Sequence, residues 1–191
     1  MSAGQAAPRI GAPEPVPEDH VAEKIRQSLR LVPDYPEPGV LFRDITPLLA
    51  DQDKFALVID RLAEVFADGA DAVAGIEARG FLLAAPLALR LGSGVLAVRK
   101  AGKLPPPVHR MRYDLEYGSA ELEVAEAGIR PGMRVALIDD VLATGGTARA
   151  AAQLLERIGA RVTAIAVLLE LGELRGREQL GDWPVHALLS E

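Results

Sequence analysis

The residues best suited to chemistry stand together between Val135 and Arg149, in the run VALIDDVLATGGTAR. An apolar stretch from Val135 meets two carboxylates, Asp139 and Asp140, then the turn Ala143-Thr144-Gly145-Gly146-Thr147, then a helical pattern from about Thr147. This reads as a buried strand, a loop and a helix start. A strand without polar alternation is covered on both faces, as in a parallel sheet between helices. Ligands of such sheets bind just past the carboxyl ends of the strands, where Asp139 and Asp140 are expected. The helix start adds unpaired N–H groups and a positive dipole end. Gly145 and Gly146 let the main chain close on an anion, and the hydroxyls of Thr144 and Thr147 can donate to it. Two carboxylates would repel that anion, so they must face hydroxyls; a phosphorylated ribose offers both. The run lacks the Gly-Lys-Ser/Thr ending of a P-loop and is not the G-x-G-x-x-G dinucleotide fingerprint.

Other chemistry is scattered more thinly. Arg99, Lys100 and Lys103 gather where an apolar stretch from Gly94 to Val98 ends, which suits a polyanion. Phe42, flanked by Arg43 and Asp44, lies in a proline-rich segment that reads as a loop. His20, His109 and His186 have no metal-ligand spacing. With no cysteine, disulfides, thiolate metal sites and Cys nucleophiles are excluded. Lys plus Arg is 21 and Asp plus Glu is 27, a net charge of −6 that disfavours bulk nucleic-acid binding.

The elements that must position these residues follow an alternating α/β order. The length, 191 residues at 49% hydrophobic, suits a single domain over residues 19–191. The Ala, Pro and Gly content of residues 1–18 suggests a disordered tail, and neither a secretory signal nor a membrane span is expected. Helices are expected over Asp19 to Leu31, Asp51 to Asp68, Phe81 to Leu91 and from Thr147 to a stop at Gly159, with a short one over Arg175 to Leu180. Strands are expected over Ala72 to Ile76, Gly94 to Val98, Val162 to Leu169 and Val185 to Leu189. Met111 to Leu115 and Ala120 to Val124 read as a β-hairpin arm with a mobile tip at Glu116-Tyr117-Gly118-Ser119, a lid that could exclude water.

From about Val32 onwards the chain resembles the adenine-specific branch of the type I phosphoribosyltransferase family. The resemblance rests on Phe42-Arg43-Asp44, Glu77-Ala78-Arg79-Gly80-Phe81, Arg99-Lys100-x-Gly102-Lys103-Leu104-Pro105, Leu115-Glu116-Tyr117-Gly118, the Asp139 to Thr147 run, and Glu170-Leu171. It implies a central, mostly parallel sheet flanked by helices, with a β-hairpin lid and a small hood. It implies purine salvage: phosphoribosyl pyrophosphate (PRPP), carrying Mg²⁺, reacts with adenine to give AMP and pyrophosphate. It further implies a cytoplasmic homodimer and a cis peptide between Glu77 and Ala78.

Residue roles also follow from the resemblance. Phe42 and Leu171 sandwich the purine; the Leu41 carbonyl accepts from its 6-amino group and the Arg43 amide donates to N1. Asp139 and Asp140 bind the ribose hydroxyls, and Ala143 to Thr147 hold the 5′-phosphate. Arg79, Arg99, Lys100 and Lys103 meet the pyrophosphate. Tyr117 lies on the covering loop beside Glu116, whose carboxylate could exchange a proton with the purine. Ala101 and the stretch Pro106 to Arg112 depart from the family pattern. Two other readings share the fold: a hypoxanthine or guanine phosphoribosyltransferase, and a non-catalytic sensor of PRPP or a purine. The residues before Pro33, with one helix and no basic stripe, offer little to read DNA.

Overall fold

The computed structural model describes residues 18–114 and 118–191. Its main sheet has, among the described residues, seven strands in the order β5-β6-β4-β3-β7-β8-β9. These are β3 (Ala72–Ile76), β4 (Gly94–Lys100), β5 (Val108–Asp114), β6 (Ser119–Ala125), β7 (Arg134–Leu142), β8 (Arg161–Glu170) and β9 (Val185–Ser190). The run β4-β3-β7-β8-β9 is parallel throughout, while β6 is antiparallel to both β4 and β5. The expected hairpin arm is therefore an extension of the sheet.

Because side chains alternate along a strand, β7 feeds two cores at once. Val135 and Leu137 pack with Ala151, Leu154 and Leu155 of α5 (Gly146–Arg157) on one face. Ala136 and Ile138 pack on the other face with Val58, Ile59 and Leu62 of α3 (Gln52–Val65) and Leu83 and Leu87 of α4 (Gly80–Leu91). Val21 and Ile25 of α1 (Glu18–Ser28) complete that second layer. Asp51 caps α3, its carboxylate accepting from the Lys54 amide at 3.1 Å, and α5 stops where Gly159 turns left-handed at φ 93°.

From β3 the chain passes through α4 to β4 on one side, and from β7 through α5 to β8 on the other. The β3/β7 boundary is thus a topological switch point, where α/β sheets open a crevice. Pairing with β3 stops at Ile138, but pairing with β8 continues to Leu142. Asp139 and Asp140 therefore lie within β7, which runs on past the carboxyl edge expected there, and they stand beyond its last residue paired with β3. The neighbour's length decides this, and one strand's sequence does not reveal it.

Three further expectations change. The proline-rich segment holds a small antiparallel hood, β1 (Arg30–Pro33) with β2 (Leu41–Asp44), followed by the short α2 (Thr46–Ala50). Pro36 and Pro38 fall in the connection, where a missing N–H costs little, and the Asp34 carboxylate accepts from the Gly39 amide at 2.8 Å to close it. Phe42 thus sits on a strand. Helix α5 begins at Gly146, one residue before the expected start at Thr147, after a left-handed Gly145. The Arg175 to Leu180 helix is a pair of 3₁₀ turns, Gly172–Leu174 and Gly176–Leu180, separated by a left-handed Arg175. Among the described residues no helix is long and apolar enough to cross a membrane.

Candidate active site

Two clefts meet at the switch point, and Arg79 lines both. The first, about 450 Å³, is bounded by Arg79, Lys100, Asp139, Asp140 and Thr147, with Tyr113 from the hairpin. The second, about 310 Å³, is bounded by Phe42, Tyr35 and Arg79. Arg79 follows β3 in the turn before α4, where the Glu77–Ala78 peptide is cis. Its Nη2 lies 2.7 Å from Oδ2 of Asp140, and its guanidinium carbon lies 5.0 Å from the centre of the Phe42 ring. The Tyr35 ring meets Phe42 edge-on at 5.1 Å.

The short Arg79–Asp140 contact is an ion pair without hydrogen-bond alignment. Both Nη1 of Arg79 and Oδ2 of Asp140 are buried and, among the described residues, lack a hydrogen-bond partner. Such atoms carry a large desolvation cost unless a ligand completes them. One requires an acceptor and the other a donor. Asp139 accepts from the Asp140 amide at 2.9 Å. Burial, then the neighbouring Asp140 charge, pushes the Asp139 carboxyl well above the usual carboxylate range.

The loop Ala143 to Thr147 stands at the mouth of the first cleft. The first helical bond of α5 runs from the Arg149 amide to the Gly145 carbonyl, so the amides of Gly146 and Thr147 remain for a ligand. The loop rests on Gly176: a Cβ on Gly176 would collide with the Ala143 carbonyl oxygen, and one on Gly145 with that of Gly176. Gly176 thereby fixes the loop through main-chain contact. Thr144 is exposed, and Thr147 shares a hydroxyl contact of 3.3 Å with Tyr113.

The basic cluster divides. Lys100 lines the first cleft, and among the described residues neither the Lys100 nor the Lys103 ammonium is paired with a carboxylate. Arg99 is held elsewhere, donating to Glu77 and to the Lys103 carbonyl at 3.2 Å each, so the structure does not bring it into the cleft. Glu123, fully buried on β6, accepts from the amides of Lys103 at 2.6 Å and Leu104 at 2.7 Å, and from Arg110 at 3.2 Å. Burial opposes its charge, yet the amides of Leu104, Gly102 and Lys103 and the Arg110 side chain outweigh it and bring the carboxyl down to about 2. Glu123 thus holds the turn that carries Lys103.

Leu41 and Arg43 flank Phe42 on β2, and Leu171 leaves β8 with its amide donating to the Leu142 carbonyl at 2.9 Å. Glu116 and Tyr117 lie outside the described residues. Sequence reasoning missed Tyr113, Glu123 and Gly176. Alternation along the hairpin could have marked Tyr113 as inward-facing; no local pattern marks the other two.

Comparison with known proteins places this site in context. Residues 47–187 match the phosphoribosyl transferase domain model. The chain is 60% identical over 171 residues to an adenine phosphoribosyltransferase of Kineococcus radiotolerans, covering 89% of this chain and 92% of that protein. The crystal structure of the Rhodothermus marinus adenine phosphoribosyltransferase superposes with a TM-score of 0.87 at 44% identity, over 91% of this chain and 99% of the other. The Saccharomyces cerevisiae enzyme, complexed with adenine and an imino-altritol bisphosphate, superposes at 0.84 with 38% identity over 89% and 99%.

Proposed function

The chain belongs to the phosphoribosyl transferase family, among its adenine phosphoribosyltransferases, and from that premise we propose that its paired clefts transfer the phosphoribosyl group of PRPP to adenine, giving AMP and pyrophosphate. The observation that carries this reading is the pair of buried orphan atoms, Nη1 of Arg79 and Oδ2 of Asp140. PRPP has a partner for each: a pyrophosphate oxygen for the guanidinium and a ribose hydroxyl for the carboxylate.

In this reading the 5′-phosphate lies on the amides of Gly146 and Thr147, within the loop from Ala143 through Thr144 and Gly145. Asp139 and Asp140 hold the ribose, and Lys100 and Lys103 join Arg79 at the pyrophosphate. Adenine lies against Phe42 where the second cleft opens, and the resemblance gives Leu171 as its other wall and Leu41 and Arg43 as the readers of its edge by main chain, although none of these three lines the second cleft. The bond from ribose C1 to the pyrophosphate oxygen breaks as the bond to purine N9 forms, through a ribosyl cation. The cations stabilise the leaving charge and the lid excludes water from the cation. Glu116, on that lid with Tyr117, takes the role of proton acceptor for the N9 hydrogen. Asp139 and Asp140 are the acids that would hold a Mg²⁺ brought with PRPP, and the ion would supply positive charge to the pyrophosphate. PRPP and AMP are charged and do not cross lipid, which supports a reaction in the cytoplasm. A homodimer is supported by α4, whose Leu82 and Leu89 are 52% and 84% exposed on one face; a monomeric mass in solution at micromolar concentration would count against it.

Turnover with a panel of bases tests the function. Adenine is expected to exceed hypoxanthine and guanine by at least about 10³ in kcat/KM, because a 6-oxo group and an N1 hydrogen each meet their own kind at Leu41 and Arg43. Hypoxanthine within about tenfold of adenine refutes the base assignment, and PRPP binding without turnover of any base refutes the enzyme.

A further inference from the structure

We infer that Glu191 is a positioning residue for the base, which aligns the group that reads adenine and sets the spacing of the site's two walls. The inference rests on the adenine reading above. Oε2 of Glu191 accepts from Nε of Arg43 at 3.0 Å, and Nη1 of the same guanidinium donates to the Leu41 carbonyl at 2.9 Å. A guanidinium is a rigid planar fork, so holding Nε on a carboxylate dictates where Nη1 points. The carbonyl assigned to the adenine 6-amino group is thereby pinned at second hand by Glu191. A pinned carbonyl cannot swing aside to relieve repulsion from a 6-oxo group, and rejection of oxopurines depends on that rigidity.

The main chain of Glu191 reaches the opposite wall. Its amide donates to the Glu170 carbonyl at 3.0 Å, and its own oxygen accepts from the Gly172 amide at 2.6 Å. These are the residues on either side of Leu171. The approach at Gly172 is close, since a Cβ there would lie 3.1 Å from the Glu191 oxygen. Arg26 of α1, at 3.8 Å from Oε1, lies beside the same carboxylate. The Glu191 side chain is 26% exposed and that of Arg43 16%, so the pair is only partly shielded from water.

The test uses the full chain and measures KM for each substrate. Glu191→Ala is expected to raise the KM for adenine about tenfold, the scale of losing a hydrogen bond to a charged group. It should narrow the preference for adenine over hypoxanthine by a similar factor while the KM for PRPP stays within about twofold. Glu191→Gln retains an oxygen acceptor for Nε and should stay within about threefold of the parent. Arg43→Met should match Glu191→Ala, and the double variant should be no worse than either, because both cut the same chain of contacts. An unmoved KM for adenine, equal rises for both substrates, or additive effects in the double variant overturn the inference. If the parent chain turned over only another base, the adenine reading would fail, and the KM for that base would still decide the role of Glu191.

Discussion

At the phosphate end of the crevice the walls are main chain packed on main chain, Ala143 to Gly145 against Gly176, with no room for a side chain at the contact. At the proposed base end side chains do the holding: Phe42 between Tyr35 and Arg79, and Arg43, whose guanidinium ties Glu191 to the Leu41 carbonyl. The first construction suits a ligand group common to many reactions, since phosphate needs only amides and a fixed curvature. The second suits a group that must be told from near relatives, because side chains can be exchanged without rebuilding a loop. On the proposed reading, the half of the substrate common to related reactions would be bound by backbone and the variable half positioned by replaceable parts.

The sharpest way to break this contrast is Gly176→Ala. Its methyl must displace the Ala143 carbonyl, and overpacking typically costs about 1 to 3 kcal/mol. We expect PRPP affinity measured by calorimetry to fall by about 10², with the KM for adenine within about twofold. An adenine KM that moved as much would show the two ends to be one rigid body. At the base end Phe42→Leu keeps bulk but removes the ring; stacking is worth about 0.5 to 1.5 kcal/mol beyond burial. The KM for adenine should rise about fivefold while PRPP binding is unchanged, and a change confined to PRPP would dissolve the comparison.

The smallest expected effect concerns neither ligand directly. Glu123 ionises at about 2 in the fold, below the ordinary carboxyl value of 4.5. A depressed carboxyl stabilises the fold fully above its ordinary value and loses that contribution as pH falls through its folded one. Melting temperature should therefore decline between about pH 4.5 and 2 more steeply in the parent than in Glu123→Gln. Equal slopes would show that this carboxylate does not hold the Lys103 turn by charge.

How far the sequence alone revealed this molecule follows the same division. Asp139, Asp140 and the loop to Thr147 are legible because strand, acids, glycines and helix start are contiguous, and each type has a local reason to be there. The alternation of apolar strands and helices likewise announces the parallel sheet. Phe42 is legible only through resemblance; its surroundings read as a loop, since prolines in a connection look the same as prolines that break a strand. Glu123, Gly176 and Glu191 are invisible because their partners are remote. Glu123 grips amides 19 and 20 residues away, and Glu191 a guanidinium 148 residues away. An acid in a strand or at a strand end carries no sign of what it will meet across such distances.

The hairpin joins β4 through two residue pairs, Arg99 with Glu123 and Lys100 with Leu122. Mechanically this is a lever on a short fulcrum. From Glu123 to the start of β6 at Ser119 the arm extends four residues, about 14 Å at roughly 3.4 Å each, so a swing of about 20° at the fulcrum carries that end about 5 Å. Lys100 and the turn gripped by Glu123 lie at the pivot and scarcely travel. A swing of that size would have to break the Tyr113–Thr147 contact and the Arg157 bond to the Arg110 carbonyl, so the travel of the far end is coupled to the α5 side of the crevice.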